Sequence, residues 1–199
     1  MKLNYNTKII GKNIILVPYR KHHVEKYHEW MGSEQLQKLI ASESLTLEEE
    51  YEMQKSWKED DDKCTFIVLD KIRLEQCGDE IESMIGDTNI FLTDKESSTG
   101  EIEIMIADPS ARGKKFGWEA VILMMLYGIT SIHLKTFEAK ISFFNNTSLQ
   151  MFKKLGFIEK SRSSVFEEVT LEKYVNDDWI TWLKEQYQYE LTNYLGLRQ

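Results

Sequence analysis

The segment WEAVILMMLYGI, residues 118–129, is apolar almost all round, and this constrains the fold more than any other feature. A helix with one apolar stripe can lie on a surface, whereas one that is apolar on every side has to be enclosed. The run is too short to cross a bilayer, which takes about 20 residues, so protein must enclose it. With 199 residues, 42% of them hydrophobic, the chain can build that shell within one ordinary domain.

The flanking patterns say what the shell is made of. NIILVPY, CTFIVL, MIGDTNIFL, GEIEIMIA, KTFEAKI and SSVFEEVTLEKYV read as strands. Helical spacing runs through Val24, Tyr27, His28 and Met31, and Thr46 with Glu49 makes a capping-box pattern ahead of a helix reaching Trp57. Asn or Thr caps a helix in NNTSLQMFKKLGF that Gly156 stops. The polar stretch 70–83 has little to bury and reads as a loop. NDDWITWLKEQYQYEL carries Trp179, Trp182, Leu183 and Tyr187 on one side, a helix that docks on the domain. Interleaved helices and strands make an α/β chain, one mixed sheet with helices on both faces. The boundaries read as a domain over residues 1–173 with a C-terminal helical extension over 174–199.

The net charge of −8 argues against general nucleic-acid binding. Acid is concentrated between Glu43 and Asp62, where a solvated helix face and the flank of a cationic entrance are both open readings. On this background RGKK, residues 112–115, is the local basic island that an anionic ligand needs. The N-terminal MKLNYNTKII has no apolar run of a secretory leader, and Cys64 and Cys77 lack metal spacing and read as free thiols. A cytoplasmic protein with no membrane partner is expected. His22, His23, His28 and His133 form no metal or triad pattern, so no metal is expected.

The order strand, DPSA, RGKKFG and buried helix is that of an anion site. The first turn of a helix carries unpaired N–H groups and about half a positive charge. Neither the P-loop nor the Rossmann glycine pattern is present. Lys115 stands where such a turn most comfortably has a second glycine. A left-handed backbone there costs roughly 1–2 kcal/mol. A charge-assisted bond from the lysine to phosphate returns about 1.5–3 kcal/mol, and a negative φ removes the cost altogether.

On Arg112-Gly113-Lys114-Lys115-Phe116-Gly117 the chain resembles the GNAT superfamily of N-acetyltransferases, whose cofactor signature is Arg/Gln-x-x-Gly-x-Gly/Ala. Lys115 replaces the first signature glycine. Asn145, Ser148, Gly156 and Phe157 match the family's downstream Asn-x-x-Ser … Gly-Phe segment, and the resemblance covers roughly residues 8–173. More narrowly, MKLNYNTKIIGKNIILVPY, YHEWM, CTFIVLD, GEIEIMIADPSARGK, FEAKI and SSVFEEVTL are similar to the N-acetyltransferase 9 branch, associated with acetylating the N-terminal residues of tubulin chains.

The resemblance implies the GNAT fold, a mostly antiparallel sheet of about six or seven strands. It implies acetyl-CoA as cosubstrate, with the backbone N–H groups of Arg112, Gly113, Lys114, Lys115, Phe116, Gly117 and Trp118 on its pyrophosphate. Met105, Ile106 and Ala107 then pair with the pantetheine amides, with Asn145 and Ser148 beside the arm. Alternation in EIEIM puts Glu101, Glu103 and Met105 on one strand face. Glu101 occupies the family's position for a catalytic glutamate, eleven residues before the signature Arg, and Glu103 is a second base or an acceptor ligand. A pair of surface carboxylates is the plain alternative. Phe152 stands where many members have the tyrosine acid, which leaves Tyr127 or water for that role. Trp30 and Met31 line the acceptor cleft by family analogy, or pack the core.

Proton arithmetic favours a protein N-terminus as acceptor. An α-amine is roughly 10–15% neutral at pH 7, a lysine amine only about 0.04%. The expected function is acetyl transfer to a protein amine, with N-terminal residues of α/β-tubulin as candidate. A small-amine acetyltransferase and a CoA-binding scaffold without transfer activity keep the same loop and stay open.

Overall fold

The structure, a computed structural model, describes residues 2–34, 36–37 and 45–196. Neighbouring residues on its central strands are buried on opposite sides, so both faces of the sheet are covered. In β2 (Ile14–Pro18) Leu16 faces one core and Val17 the other; in β3 (Lys63–Asp70) Phe66 and Ile67 divide the same way. One face holds α4 (Phe116–Tyr127), buried from Glu119 through Tyr127 as its composition demands. On the other lie α1 (Val24–Met31) and α2 (Leu47–Glu59).

The remaining elements are β1 (Thr7–Ile10), α3 (Lys71–Cys77), β4 (Met84–Asp94), β5 (Thr99–Ile106), β6 (Thr136–Ser142), α5 (Asn146–Lys154), β7 (Ile158–Ser163), β8 (Glu168–Tyr174), α6 (Asp177–Gln186) and β9 (Glu190–Asn193). They make a nine-stranded sheet in the order β7-β8-β6-β5-β4-β3-β2-β1-β9. Every pairing is antiparallel except β5 with β6. The expected mixed, mostly antiparallel sheet is present, with more strands than six or seven. The added strands β1, β7 and β9 are short or solvent-facing, so they carry little alternation for a sequence reading to find.

Residues 70–83 are not wholly a loop. They hold α3, whose cap is the Asp70 carboxylate accepting the Arg73 N–H at 3.1 Å. No residue of α3 is buried, so hydrophobic periodicity is silent there. The capping box is formed, Thr46 Oγ1 accepting from the Glu49 N–H and Glu49 Oε2 from the Thr46 N–H.

The chain after residue 173 is not only helical. In α6, Trp179 donates from Nε1 to the Leu155 carbonyl and Leu183 is fully buried, after which β9 pairs along β1. Tyr194, just beyond β9, donates its hydroxyl to Glu80, which also holds His22 and His23 at 3.0 and 2.8 Å. Burial works to raise the Glu80 pKa, but these three partners hold its carboxyl well below the usual range.

Candidate active site

A break in strand pairing creates the site. β5 and β6 pair only where Thr99–Glu101 meets Thr136–Glu138. Beyond that, β5 stays with β4 as far as Ile106 and β6 stays with β8 as far as Ser142, so the two strands part. Among the described residues, the β6-facing backbone groups of residues 102–105 therefore have no ladder partner and are free to pair with an extended ligand, whereas the Ile106 carbonyl is taken by Arg112. A cavity of about 250 Å³ opens along this wedge. Ile102, Ile104 and Ile141 line its walls, with Asn145, Ser148 and Phe152 on the α5 side.

The turn into α4 has the geometry to take an anion. Gly113 and Lys115 both have left-handed backbones, with φ of 76° and 65°. The strained option for Lys115 is the one realised, at roughly 1–2 kcal/mol. No side chain caps α4, so the N–H groups of its first turn, at Phe116, Gly117 and Trp118, take no capping partner. Lys114 and Lys115 are exposed beside them. Arg112 faces inward: its guanidinium donates to the carbonyls of Ile106 (3.1 Å) and Ala107 (3.3 Å), tying the turn to the end of β5. Trp118 stands edge-on to Trp182 at 6.4 Å, which leaves its backbone alone to face a ligand. Asn145 caps α5 through Oδ1, accepting the Ser148 N–H at 3.1 Å.

Because Lys115 is left-handed, glycine there relieves strain without removing any backbone donor. Lys115→Gly is expected to change acetyl-CoA affinity less than tenfold by calorimetry, lost charge offsetting relieved strain. A variant that restores binding from none refutes this.

The other end of the cavity is acidic and aromatic. Tyr27 and Met31 from α1, and Glu50, Met53 and Trp57 from α2, close over Asp87 of β4 and Glu103 of β5. Glu103 accepts the Asn89 Nδ2–H at 2.7 Å. Glu101, on the same strand face, is 8% exposed and held by Lys140 Nζ at 2.6 Å. Burial raises its pKa, against the pull of the Lys140 ammonium. Lys140, not Glu101, reaches the cavity wall. Asp87 is 4% exposed and its pKa is pushed up to about 7, by burial first and then by the Glu103 charge, with Lys63 pulling the other way. Burial likewise raises Glu50.

The expected site residues thus fall into two groups. Glu103, Met105, Asn145 and Ser148 share the cavity, while Arg112 to Trp118 form the turn at the C-terminal end of β5. Ile106 and Ala107 lie between them, their carbonyls engaged by Arg112. Phe152 is 2% exposed and edge-on to Phe157 at 5.0 Å, a core residue with one surface on the cavity. The Tyr127 hydroxyl donates to the Leu3 carbonyl instead, and its pKa is pushed up to about 12 by burial. Met31 lines the cleft; Trp30 packs in the core. Glu43 lies outside the described residues.

Sequence reasoning missed Asp87 and Asn89, and held Glu50 only as part of the acidic stretch between Glu43 and Asp62. A signal existed for each. Asp87 and Asn89 are polar at alternate positions of the otherwise apolar MIGDTNIFL, and Glu50 shares helical spacing with Met53 and Trp57.

The sequence profile of the family described as "Acetyltransferase (GNAT) domain" matches residues 13–158. The chain is 55% identical over 190 residues to the human protein called alpha/beta-tubulin-N-acetyltransferase 9, covering 94% of this chain and 92% of that one. It is 54% identical over 191 residues to the Drosophila melanogaster protein of the same name, covering 94% and 96%. Among solved structures it resembles the spermidine N-acetyltransferase of Vibrio cholerae in complex with CoA and spermine. That match has a TM-score of 0.70 at 15% identity and covers 85% of this chain and 98% of that one, a likeness of fold.

Proposed function

This chain belongs to the GNAT acetyltransferase family and is an N-acetyltransferase, and from that premise we propose that it acetylates the N-terminal amine of α- or β-tubulin from acetyl-CoA. One observation carries the reading: the wedge between β5 and β6 has an uncapped helix N-terminus at one end and a carboxylate-lined cavity at the other. An anionic donor and a cationic acceptor can then meet from opposite sides. The names of the relatives supply tubulin.

The residues present fit the donor. Acetyl-CoA supplies the thioester that an amine attacks. The open edge of β5 from Ile102 to Met105 suits its pantetheine amides, ending where Arg112 occupies the carbonyls of Ile106 and Ala107. Backbone N–H groups over 113–118, with Lys114 and Lys115, suit its phosphates, the Arg112 N–H being held by the Pro109 carbonyl, and Asn145 and Ser148 stand beside the arm. Glu103 meets the amine as ligand, and Glu101, set back from the cavity wall, carries the amine's proton away through water. We assign catalysis to residues 1–173, with 174–199 bracing that domain through α6 and β9. The reading places the protein in the cytoplasm with its substrate. Among the described residues no helix is long and apolar enough to cross a membrane.

Mass spectrometry of purified tubulin incubated with the protein and acetyl-CoA tests this. N-terminal acetyl groups are expected; acetylation of internal lysines only, or preferential transfer to spermidine in a parallel reaction, defeats it. Glu101→Gln is expected to lower kcat about tenfold on an N-terminal peptide, below the usual effect of losing a base because Glu103 remains. An unchanged kcat removes Glu101 from the mechanism.

A further inference from the structure

The cavity holds more acid than the two glutamates of β5 supply. Asp87, Asn89 and Glu50 are 4%, 4% and 1% exposed, and all three line the cavity. Asp87 Oδ1, Asn89 Oδ1 and Glu50 Oε2 have no hydrogen-bond partner among the described residues. Every one of these atoms is an acceptor, and a buried acceptor left unpaired costs about 1–3 kcal/mol. A group bearing several N–H donors and a positive charge satisfies all of them together. A primary ammonium is such a group.

We infer that Asp87 takes the proton from the acceptor ammonium, working with Glu103 as a paired carboxylate and with Glu50 and Asn89 as ligands that orient the amine. The inference rests on the acetyltransferase reading of this cavity and names the substrate class it takes: a primary ammonium at the end of a chain. Asn89 lies opposite Glu103 in the ladder and Asp87 opposite Met105, so Asp87 and Glu103 are diagonal neighbours on one face, with Cβ atoms about 7–8 Å apart or less. Asp87 is buried while Glu103 is exposed beside it, and burial together with the neighbouring Glu103 charge leaves Asp87 poised to accept a proton near neutral pH. That matches an α-amine, whose pKa is about 7.7–8.0. The other groups facing this pair are Tyr19 and Tyr27, whose hydroxyls burial keeps protonated, Glu50 from α2 and Lys63 from β3. Lys63 makes no ion pair with Asp87; its Nζ sits 3.7 Å from the centre of the Trp57 ring. Lys140 also lines the cavity but is committed to Glu101.

The step balances. One N–H proton of the ammonium passes to the Asp87 carboxylate, and the freed lone pair forms the C–N bond at the thioester carbonyl. The C–S bond then breaks, and a second nitrogen proton goes to the departing sulfur. The products are the N-acetyl amide, free thiol and one proton on Asp87, which leaves through Glu103 and water-linked Glu101 before the next amine binds.

The test uses the full chain and an N-terminal peptide of tubulin. For Asp87→Asn, kcat/KM is expected to fall about 100-fold or more, with loss of the pH limb near 7 expected of the wild type. CoA affinity by calorimetry should stay within about threefold, since Asp87 lies at the acceptor end. Retention of more than one-tenth of kcat/KM with an unchanged pH limb overturns the inference. A second measurement needs no variant. Peptide affinity for the wild-type complex with CoA, where no transfer occurs, should rise several-fold from pH 6 to pH 7.5 as the carboxylate ionises; a flat profile also overturns it. Failure of the underlying reading looks different: wild type that binds CoA and acetylates no amine.

Discussion

Gly86→Ala is expected to cost about 3 kcal/mol of stability or more, lowering the thermal midpoint by roughly 6–12 °C. A Cβ built on Gly86 falls 2.0 Å from the Met105 carbonyl oxygen and 3.0 Å from the Ile106 Cα. Both are backbone atoms of the facing strand, so no side-chain rotation relieves the clash. Nor can the strands part easily. Ile85 O accepts both the Ala107 and Asp108 N–H groups, at 2.9 and 3.1 Å, pinning β4 to the end of β5. The β3–β4 register shifts between Val68 and Leu69, which face this part of β4, so the other edge is already distorted. Any movement displaces Asp87, the next residue, and the β5 backbone that borders the wedge. A thermal midpoint within about 2 °C of wild type shows that the strands separate more freely than this packing allows.

Glu119→Ala is the second large effect, about 3 kcal/mol by urea unfolding. Glu119 sits fully buried in the first turn of α4. Its two oxygens accept from the Asn13 backbone N–H at 2.9 Å and from Asn13 Nδ2 at 2.7 Å, fastening the β1–β2 turn to the helix that follows the basic turn. Alanine leaves both Asn13 donors without their acceptor, and hydrogen bonds to a charged group contribute about 1.5–3 kcal/mol each, less the relief of bringing a carboxylate out of the interior. Glu119→Gln, which keeps one acceptor oxygen, should cost less than half as much. Equal losses for the two variants mean that packing volume rather than these bonds sets the cost.

Gly86 and Glu119 show where the sequence was readable. In WEAVILMMLYGI, Glu119 looks like a polar break in an apolar run, and nothing nearby in the chain announces that Asn13 will be its partner, 106 positions away. Gly86 looks like a weak point in a strand, yet it marks the closest approach of two strands. Caps, by contrast, are local. Thr46 with Glu49 was legible as a capping box, and Asn145 with Ser148 and Asn176 with Trp179 act over the same three-residue span.

The same division runs through the site. The basic turn, the buried helix behind it and the alternation of Glu101, Glu103 and Met105 were all set by residues close in sequence, because helix and strand periods are local properties of the backbone. Which carboxylates meet was not. Asp87 joins Glu103 through strand register, Glu50 arrives on a helix packed over the same sheet face, and Lys140 engages Glu101 across the short parallel pairing. Charge and pKa depend on distance and on exclusion of water, and both arise only when separate elements close over one another. The chain's order of residues therefore determined the layers, the caps and the basic turn. Tertiary packing decided which of the chain's carboxylates meet in the cavity and how buried they are.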